Sequence, residues 1–263
     1  MYKGVLLMTI CQLNFKSQIL DLSTSVKIYL PDTVDISEAP VLYLLHGWSD
    51  DCNAWFNQTN LARQAQKYPF VIVMPQVGLS YYTDMAAGGA YFTFLTQELP
   101  QKMKQWFQIE AVKEKMFVAG LSMGGYGAFK WALTYPDQFN AAASLSGALD
   151  VVNLWRRSER KKQLAAIFGD IRILSKSNNN LFNLLPHEMP ASIEETYFLQ
   201  MCGTEDFIYQ DNQNFLQRAQ NVLPFFEYQE SPGNHDWAYW EKAIAVVLQR
   251  FAEIYTRKTK NKY

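Results

Sequence analysis

A chain of 263 residues can bury a substantial core, either in one large α/β domain or in two small ones. Hydrophobic residues make up 49% of it and aromatic residues 15%, which is a globular rather than a disordered composition. The formal net charge of −1 gives no electrostatic reason to expect nucleic acid or an anionic membrane surface as a partner.

The cysteines and the apolar runs indicate the cellular compartment and argue against a metalloprotein or a membrane-spanning protein. Cys11, Cys52 and Cys202 show no paired spacing and no zinc-type cluster, so we expect free thiols in a reducing compartment and no metal. The apolar runs are too short to span a bilayer. Residues 1–10 lack the long apolar core and cleavage site of a signal peptide, although Met8 is an alternative start. These features predict a cytoplasmic protein.

Extended segments come first and then recur along the chain. Residues 9–17 and 25–30 are predicted to be strands, and the second alternates as a half-buried strand does. Short continuous apolar runs predict strands covered on both faces. These buried strands are predicted at 41–45, 70–74, 116–119, 141–146, 196–201 and 225–229.

Helical patterns lie between the strands. They are predicted at 61–68, 91–107, 123–135, 210–222 and 236–255. Pro100 falls inside the second helix and should kink it or divide it in two. The basic tail at 257–263 is expected to fray.

The regular pattern is interrupted between residues 150 and 192. We expect a cap-like insertion there that lies over the top of the sheet. It contains a basic run, for which a solvated helix face is the expected structure and an anion-binding role is the alternative. The run consists of Arg156, Arg157, Arg160, Lys161 and Lys162.

Strands that alternate with helices predict an α/β fold with a mostly parallel sheet covered on both faces. In such folds the reactive loops follow the carboxyl ends of the strands. The chain shows no internal repeat and no linker, so we predict a single domain over residues 1–263.

The residues around Ser122 carry the strongest chemical signal. Gly120-Leu121-Ser122-Met123-Gly124 matches the Gly-x-Ser-x-Gly pattern of a nucleophile elbow. The pattern alone is weak, but here a predicted strand precedes it and a predicted helix follows it. We therefore expect a strained turn that exposes the Ser122 hydroxyl at the head of a helix, where negative charge is stabilised.

A serine nucleophile requires a histidine base, and the chain has three histidines. His46 follows the third strand, upstream of the serine, and is expected to order its loop. His187 lies in the insertion, where a surface role is expected. His235 follows the last strand, and the order Ser…Asp/Glu…His selects it as the base. The alternative is that His235 caps the final helix.

The acid of the triad should follow the strand that ends near Cys202. Glu205 and Asp206 both qualify, and Asp211 is a more distant alternative. We favour Asp206 over Glu205. Asp236 adjoins His235, but it is more simply a favourable charge at the start of a helix.

Two backbone N–H groups should stabilise the oxyanion. One comes from the residue after the nucleophile, Met123, and the other from the loop His46-Gly47-Trp48, where the N–H of Trp48 is the candidate. Alternatively, Trp48 is only a core aromatic residue.

Several motifs together resemble the esterase D family, nearest to bacterial tributyrin (short-chain) esterases. The motifs are Leu44-Leu45-His46-Gly47-Trp48, Tyr82-Thr83-Asp84, Glu98-Leu99-Pro100, Gly120 to Gly125, Cys202 to Phe207 and Gly233 to Trp237. The resemblance implies an α/β-hydrolase fold, the triad Ser122, Asp206 and His235, and an oxyanion hole formed by Trp48 and Met123. It also places Trp237, with Trp48, beside the substrate pocket.

The resemblance leaves the substrate open. S-formylglutathione hydrolases are relatives, but they typically place a cysteine directly after His-Gly-Leu-Thr, whereas this chain has His46-Gly-Trp-Ser-Asp-Asp-Cys52. Feruloyl and acetyl-carbohydrate esterases are further alternatives, and a non-catalytic binding protein of the same fold is a remote one. We expect a carboxylesterase for short acyl groups that needs no cofactor and has a small-molecule ester as its partner. Homo-oligomerisation stays open, because relatives often associate.

Overall fold

The computed structural model describes residues 8–32, 34–185, 193 and 195–260. Within these ranges one sheet has the strand order β1-β2-β4-β3-β5-β6-β7-β8. Its strands are β1 Met8–Lys16, β2 Ser23–Pro31, β3 Val41–Leu45, β4 Val71–Pro75, β5 Met116–Leu121, β6 Ala141–Leu145, β7 Tyr197–Gly203 and β8 Phe226–Ser231. The pairs β1/β2 and β2/β4 are antiparallel, and every pair from β4 to β8 is parallel.

Helices connect the strands. They are α1 Ala54–Gln58, α2 Leu61–Ala65, α3 Tyr91–Thr93, α4 Leu99–Phe107, α5 Met123–Thr134, α6 Val151–Arg157, α7 Lys161–Phe168, α8 Ile171–Leu174, α9 Tyr209–Ala219 and α10 Trp237–Lys260. A π-helical segment spans Phe94–Glu98, and 3₁₀ turns lie at Lys113–Lys115 and Leu181–Asn183. In the described part of the chain, none of these helices combines the length and apolarity needed to cross a bilayer.

The two faces of the sheet are covered by different helices. Successive side chains of a strand point to opposite faces, so one strand serves two cores. On one face, Tyr43 of β3 packs against Trp131 of α5, with ring centroids 4.9 Å apart. On the other, Phe117 of β5 packs against Phe251 of α10 at 5.1 Å. Each such buried side chain contributes about 1.5–3 kcal/mol, which holds the helices against the sheet.

This topology confirms the predicted α/β fold with a mostly parallel sheet and helices on both faces. The parallel strands β3, β5, β7 and β8 all end at the same edge of the sheet. The loops that follow them carry Trp48, Ser122, Asp206 and His235. The fold therefore brings together segments that lie far apart in the chain.

Some boundaries differ from the prediction. Helix α2 is shorter than expected, and α1 was not anticipated. Strand β4 continues through Pro75, which pairs with Val26. The predicted helix at 91–107 is not divided in two at Pro100. It is helical throughout, with a π-helical segment just before the proline, where Leu99 N–H donates to the Phe94 carbonyl five residues back. This wider turn suits a proline that lacks a donor.

The predictions for the C-terminal tail and for the insertion at 150–192 also need correction or completion. The tail was expected to fray from residue 257, but α10 continues to Lys260 because it extends a helix already packed on the sheet. The insertion contains α6, α7, α8 and a 3₁₀ turn. Its residues 186–192, including His187, lie outside the described residues.

Candidate active site

Ser122 occupies the tight turn between β5 and α5. Its backbone has φ 52° and ψ −116°, a conformation that is strained for a residue with a side chain. The flanking glycines are sterically required. A Cβ on Gly120 would lie 2.4 Å from the backbone of Gly124, and a Cβ on Gly124 would lie 2.4 Å from the Leu45 carbonyl oxygen. The sequence spacing thus reflects a real close approach of β3, β5 and α5.

Three of the predicted site residues meet in one hydrogen-bonded chain. His235 Nε2 lies 2.9 Å from Ser122 Oγ. His235 Nδ1 lies 2.9 and 3.0 Å from the two carboxylate oxygens of Asp206. The Asp206 side chain is fully buried, and one of its oxygens also accepts the Ile208 N–H at 3.0 Å. A buried carboxylate fixed in this way orients the imidazole towards the serine.

The competing carboxylates have other partners. Glu205 is exposed and accepts hydrogen bonds from Gly233 N–H and the Thr204 hydroxyl. Asp236 accepts the Tyr239 N–H at 2.9 Å and so caps the start of α10. Asp211 pairs with Arg157 and accepts from Asn153. Among the described residues, none of these three carboxylates forms a hydrogen bond with the His235 ring.

The loop after β3 lies directly beside Ser122. A Cβ on Gly47 would lie 3.7 Å from Ser122 Cβ and 2.5 Å from Leu121 Cδ1, so only glycine fits there without displacement. In the described part of the chain, no hydrogen bond occupies the backbone N–H of Trp48 or of Met123. Both donors are therefore free. The Met123 side chain itself is buried in the core.

His46 orders this loop, as expected, and is not part of the hydrogen-bonded chain. Its Nδ1 donates to the Gly47 carbonyl at 2.8 Å, and its Nε2 accepts the Val77 N–H at 3.2 Å. Burial lowers the pKa of His46 to about 4. The ring is therefore neutral near pH 7, with the proton on Nδ1.

A buried lysine supports the neighbouring turn, and sequence reasoning missed it. Lys130 of α5 donates to the Tyr82 carbonyl at 3.2 Å and to the Thr83 hydroxyl at 2.6 Å, with the Phe92 ring 4.3 Å away. Burial lowers its pKa to about 7. Tyr82 in turn donates to the His46 carbonyl at 2.9 Å. Helix α5 is thus connected to the Gly47 loop by a second route.

A cleft of about 760 Å³ opens above Ser122 and His235. Its aromatic lining comprises Trp48, Tyr81, Phe207, Trp237 and Trp240, and its charged lining comprises Asp50, Arg157, Arg160 and Asp236. The predicted pocket residues Trp48 and Trp237 both line it. Volume and lining suit a small organic ligand.

The insertion supplies one wall of the cleft. Leu154, Arg157, Ser158, Arg160 and Leu164 all line it. The basic run is therefore divided: Arg156, Lys161 and Lys162 are exposed outside the lining, as a solvated face would be, whereas Arg157 and Arg160 face the cleft. Periodicity could not show this, because it does not report how an insertion folds back over a sheet. Among the described residues, no cluster of His, Cys, Asp or Glu side chains could hold a metal ion.

The sequence was also compared with known proteins. The model of a family described as "Putative esterase" matches residues 17–251. The chain is 30% identical over 267 residues to an acetyl esterase of Caldicellulosiruptor saccharolyticus, covering 94% of this chain and 99% of the relative.

Two solved structures from Staphylococcus aureus are similar over nearly the whole chain. The fluorophosphonate-binding serine hydrolase FphF has a TM-score of 0.86 and 28% identity, covering 94% of this chain and 99% of its own. The S-formylglutathione hydrolase FrmB has a TM-score of 0.82 and 29% identity, with 93% and 99% covered. The chain therefore belongs to the matched esterase family and is a carboxylesterase of the serine hydrolase class.

Proposed function

We propose that this esterase hydrolyses short-chain acyl esters with Ser122 as nucleophile, His235 as general base and Asp206 as the orienting acid. The observation that carries the proposal is the hydrogen-bonded chain Ser122–His235–Asp206, with both histidine nitrogens 2.9 Å from a partner oxygen. A serine hydroxyl becomes an effective nucleophile when a neighbouring base takes its proton.

The geometry supports the following steps. Ser122 Oγ attacks the ester carbonyl carbon while its proton passes to His235 Nε2, and Asp206 stabilises the imidazolium that forms. The tetrahedral intermediate collapses, the bond to the alcohol oxygen breaks, and His235 returns the proton to the leaving alcohol. Water then attacks the acyl-enzyme by the same route, which releases the acid and restores Ser122.

The oxyanion would be stabilised by the backbone N–H groups of Trp48 and Met123. Their lack of partners in the described residues supports this role, as does the position of Met123 at the first turn of α5. Donors already aimed at the developing charge need no reorganisation, and each is worth about 2.7–4 kcal/mol in comparable sites.

The short-acyl preference has indirect support. The motifs resemble those of tributyrin esterases in the esterase D family, and the similar Caldicellulosiruptor protein is described as an acetyl esterase. The indoles of Trp48 and Trp237 border the cleft, which must hold both the acyl and the alcohol parts of a substrate. We also propose a single domain with a cap-like insertion at 150–192 and, from the free cysteines, a cytoplasmic location.

A thioesterase of the S-formylglutathione hydrolase type is the second candidate. The similarity to FrmB favours it. The displaced Cys52 argues against it, because this thiol is buried, accepts from Gln12 Nε2 at 3.6 Å and does not line the cleft. A panel of acetyl, butyryl and feruloyl esters with S-formylglutathione separates these candidates.

Covalent labelling tests the proposal. A serine-directed phosphonate should abolish turnover of p-nitrophenyl acetate, and peptide mass spectrometry should locate the adduct on Ser122. Ser122→Ala should take no label and should lose about 10⁴-fold or more in kcat. Ser49→Ala, which removes another hydroxyl lining the cleft, should still be labelled. An adduct on any other serine would refute the assignment.

A further inference from the structure

The two arginines on the insertion wall of the cleft have different surroundings. Arg157 donates to the Phe207 carbonyl at 3.1 Å and forms an ion pair with the buried carboxylate of Asp211. Its charge is therefore compensated within the protein. Arg160 makes no ion pair in the part of the chain described, and its guanidinium lies over the Trp48 ring, 5.6 Å from the centroid.

The carboxylates of the cleft do not compensate Arg160. Asp50 accepts the Gly47 N–H at 3.2 Å, and burial raises its pKa. Asp236 accepts the Tyr239 N–H at the start of α10. Each carboxylate thus has a backbone partner, whereas the guanidinium of Arg160 lines the cleft with no hydrogen bond to any described side chain or carbonyl.

The charge of Arg160 also reaches the inside of the cleft. Tyr81 lines it, is almost fully buried and packs against Trp48 with ring centroids 5.5 Å apart. Burial raises the pKa of the Tyr81 hydroxyl, and the positive charges of Arg160 and Arg157 act in the opposite direction. Trp48 and Arg160 therefore form one wall with an aromatic surface and an unpaired cation.

We propose that Arg160 is a specificity residue that binds a carboxylate on the part of the ester that lies against Trp48. A guanidinium offers a planar fork of N–H donors that matches a carboxylate with two parallel hydrogen bonds. The substrate class is accordingly an ester with an apolar or aromatic portion that carries a carboxylate. The inference rests on the proposed function, because it names the substrate of the same site.

Matched neutral and anionic esters test it. The substrates are 3- and 4-acetoxybenzoate and the corresponding acetoxybenzamides, with each rate divided by that of hydroxide hydrolysis to correct for leaving-group reactivity. The wild type should prefer the carboxylate by about fivefold in kcat/KM, as an exposed charge-assisted pair worth about 1 kcal/mol would give. Added salt should reduce the preference.

Variants separate recognition from general charge effects. Arg160→Gln should bring the ratio of kcat/KM for the carboxylate ester to kcat/KM for the carboxamide ester to about 1, while the acetate ester of the acetoxybenzamides is still hydrolysed. Arg160→Glu should reverse this ratio. Arg156→Gln removes the same charge from the same basic run outside the cleft lining, so it should keep the wild-type ratio.

The outcomes distinguish the two proposals. Equal ratios in the wild type and Arg160→Gln, with the acetoxybenzamide esters still hydrolysed, would overturn the role of Arg160 and leave the proposed function standing. If Arg156→Gln lost the carboxylate preference to the same extent as Arg160→Gln, the preference would be an effect of net charge. That result would also overturn the role of Arg160. Failure to hydrolyse even the neutral acetates would overturn the proposed function and this inference with it.

Discussion

The Ser122 turn and the insertion wall both line the cleft, but different interactions hold them in place. The Ser122 N–H donates to the Leu145 carbonyl at 2.9 Å, and its carbonyl accepts from Tyr126 and Ala148 at 3.1 Å each. These bonds offset a backbone strain of about 1–3 kcal/mol. In the insertion wall, the two arginines Arg157 and Arg160 are exposed.

This contrast separates chemistry from recognition. The turn is determined by buried backbone contacts of β3, β5, β6 and α5, so a change there should abolish the reaction for every substrate. The insertion wall consists of side chains on short helices and loops, so a change there should alter the ratio between substrates. Loop-borne specificity on a rigid scaffold is a general pattern in enzymes.

The largest expected effect comes from a substitution in the buried part of the site. Asp206→Asn should leave the imidazole in the wrong tautomer or orientation and lower kcat by up to ~10⁴ while the protein still folds. Glu205→Gln and Asp236→Asn are matched controls, because their carboxylates bond backbone N–H groups instead of His235. They should stay within about tenfold of the wild type, or roughly 1.4 kcal/mol in barrier.

The measurement is kcat/KM for the three variants under identical conditions, with circular dichroism to check folding. If Glu205→Gln were the crippled variant, the acid would be one residue earlier than assigned. If none were crippled, the acid would lie elsewhere in the chain.

The buried side was also the part that sequence could predict. The apolar runs at 41–45 and 141–146 match β3 and β6 to within one residue, because strands covered on both faces leave a continuous signal. The glycine spacing around Ser122 reports a steric constraint that is local in sequence. The motif and the chain order select Ser122 and His235, whereas they leave Glu205 and Asp206 both open, and Asp206 is only favoured. The structure places Asp206, and not Glu205, within hydrogen-bond distance of His235.

The arrangement of the exposed side chains in the insertion wall could not be predicted in the same detail. The division of the basic run depends on tertiary contacts between distant segments. Arg157 faces the cleft because the Phe207 carbonyl and Asp211 hold it there, and they lie 50 and 54 residues away in the sequence. No periodicity within residues 150–162 encodes those partners.

A smaller effect, on the free energy of unfolding, should come from the buried His46 in the Gly47 loop. Burial lowers the pKa of His46 to about 4, so the folded protein excludes a proton that the unfolded chain binds below about 6.5. The free energy of unfolding should therefore fall as pH drops from about 6.5 to about 4, by up to about 3 kcal/mol from this residue.

His46→Gln provides the comparison, because glutamine can accept the Val77 N–H and donate to the Gly47 carbonyl without titrating in this range. Urea unfolding of both proteins at pH 7.5 and 4.5 measures the difference. The wild type should lose more stability than the variant on acidification. An identical loss in both would assign the acid sensitivity to other groups.

The smallest expected effect is the dependence of kcat/KM on the length of the acyl group, which the aromatic lining of the cleft should limit. Each added CH₂ contributes about 0.8 kcal/mol if it is buried in a pocket with room for it. We expect kcat/KM to rise for the first carbons and then fall, because the indoles of Trp48 and Trp237 limit the space. Esters from acetyl to decanoyl measure the trend, and a continuous rise through decanoyl would refute it.

Variants of the cleft tryptophans locate the limit. Trp237 packs edge-on against both Trp55 and Trp240, with ring centroids 5.3 Å apart in each case, so the surrounding rings keep the cleft wall in place when its indole is removed. Trp237→Ala should therefore move the optimum towards longer acyl groups. Trp106→Ala removes an indole that packs on Phe15 and does not line the cleft, so it should keep the wild-type optimum. If Trp48→Ala moved the optimum and Trp237→Ala did not, the acyl chain would lie on the Arg160 side, which would contradict binding of a carboxylate on the alcohol part there.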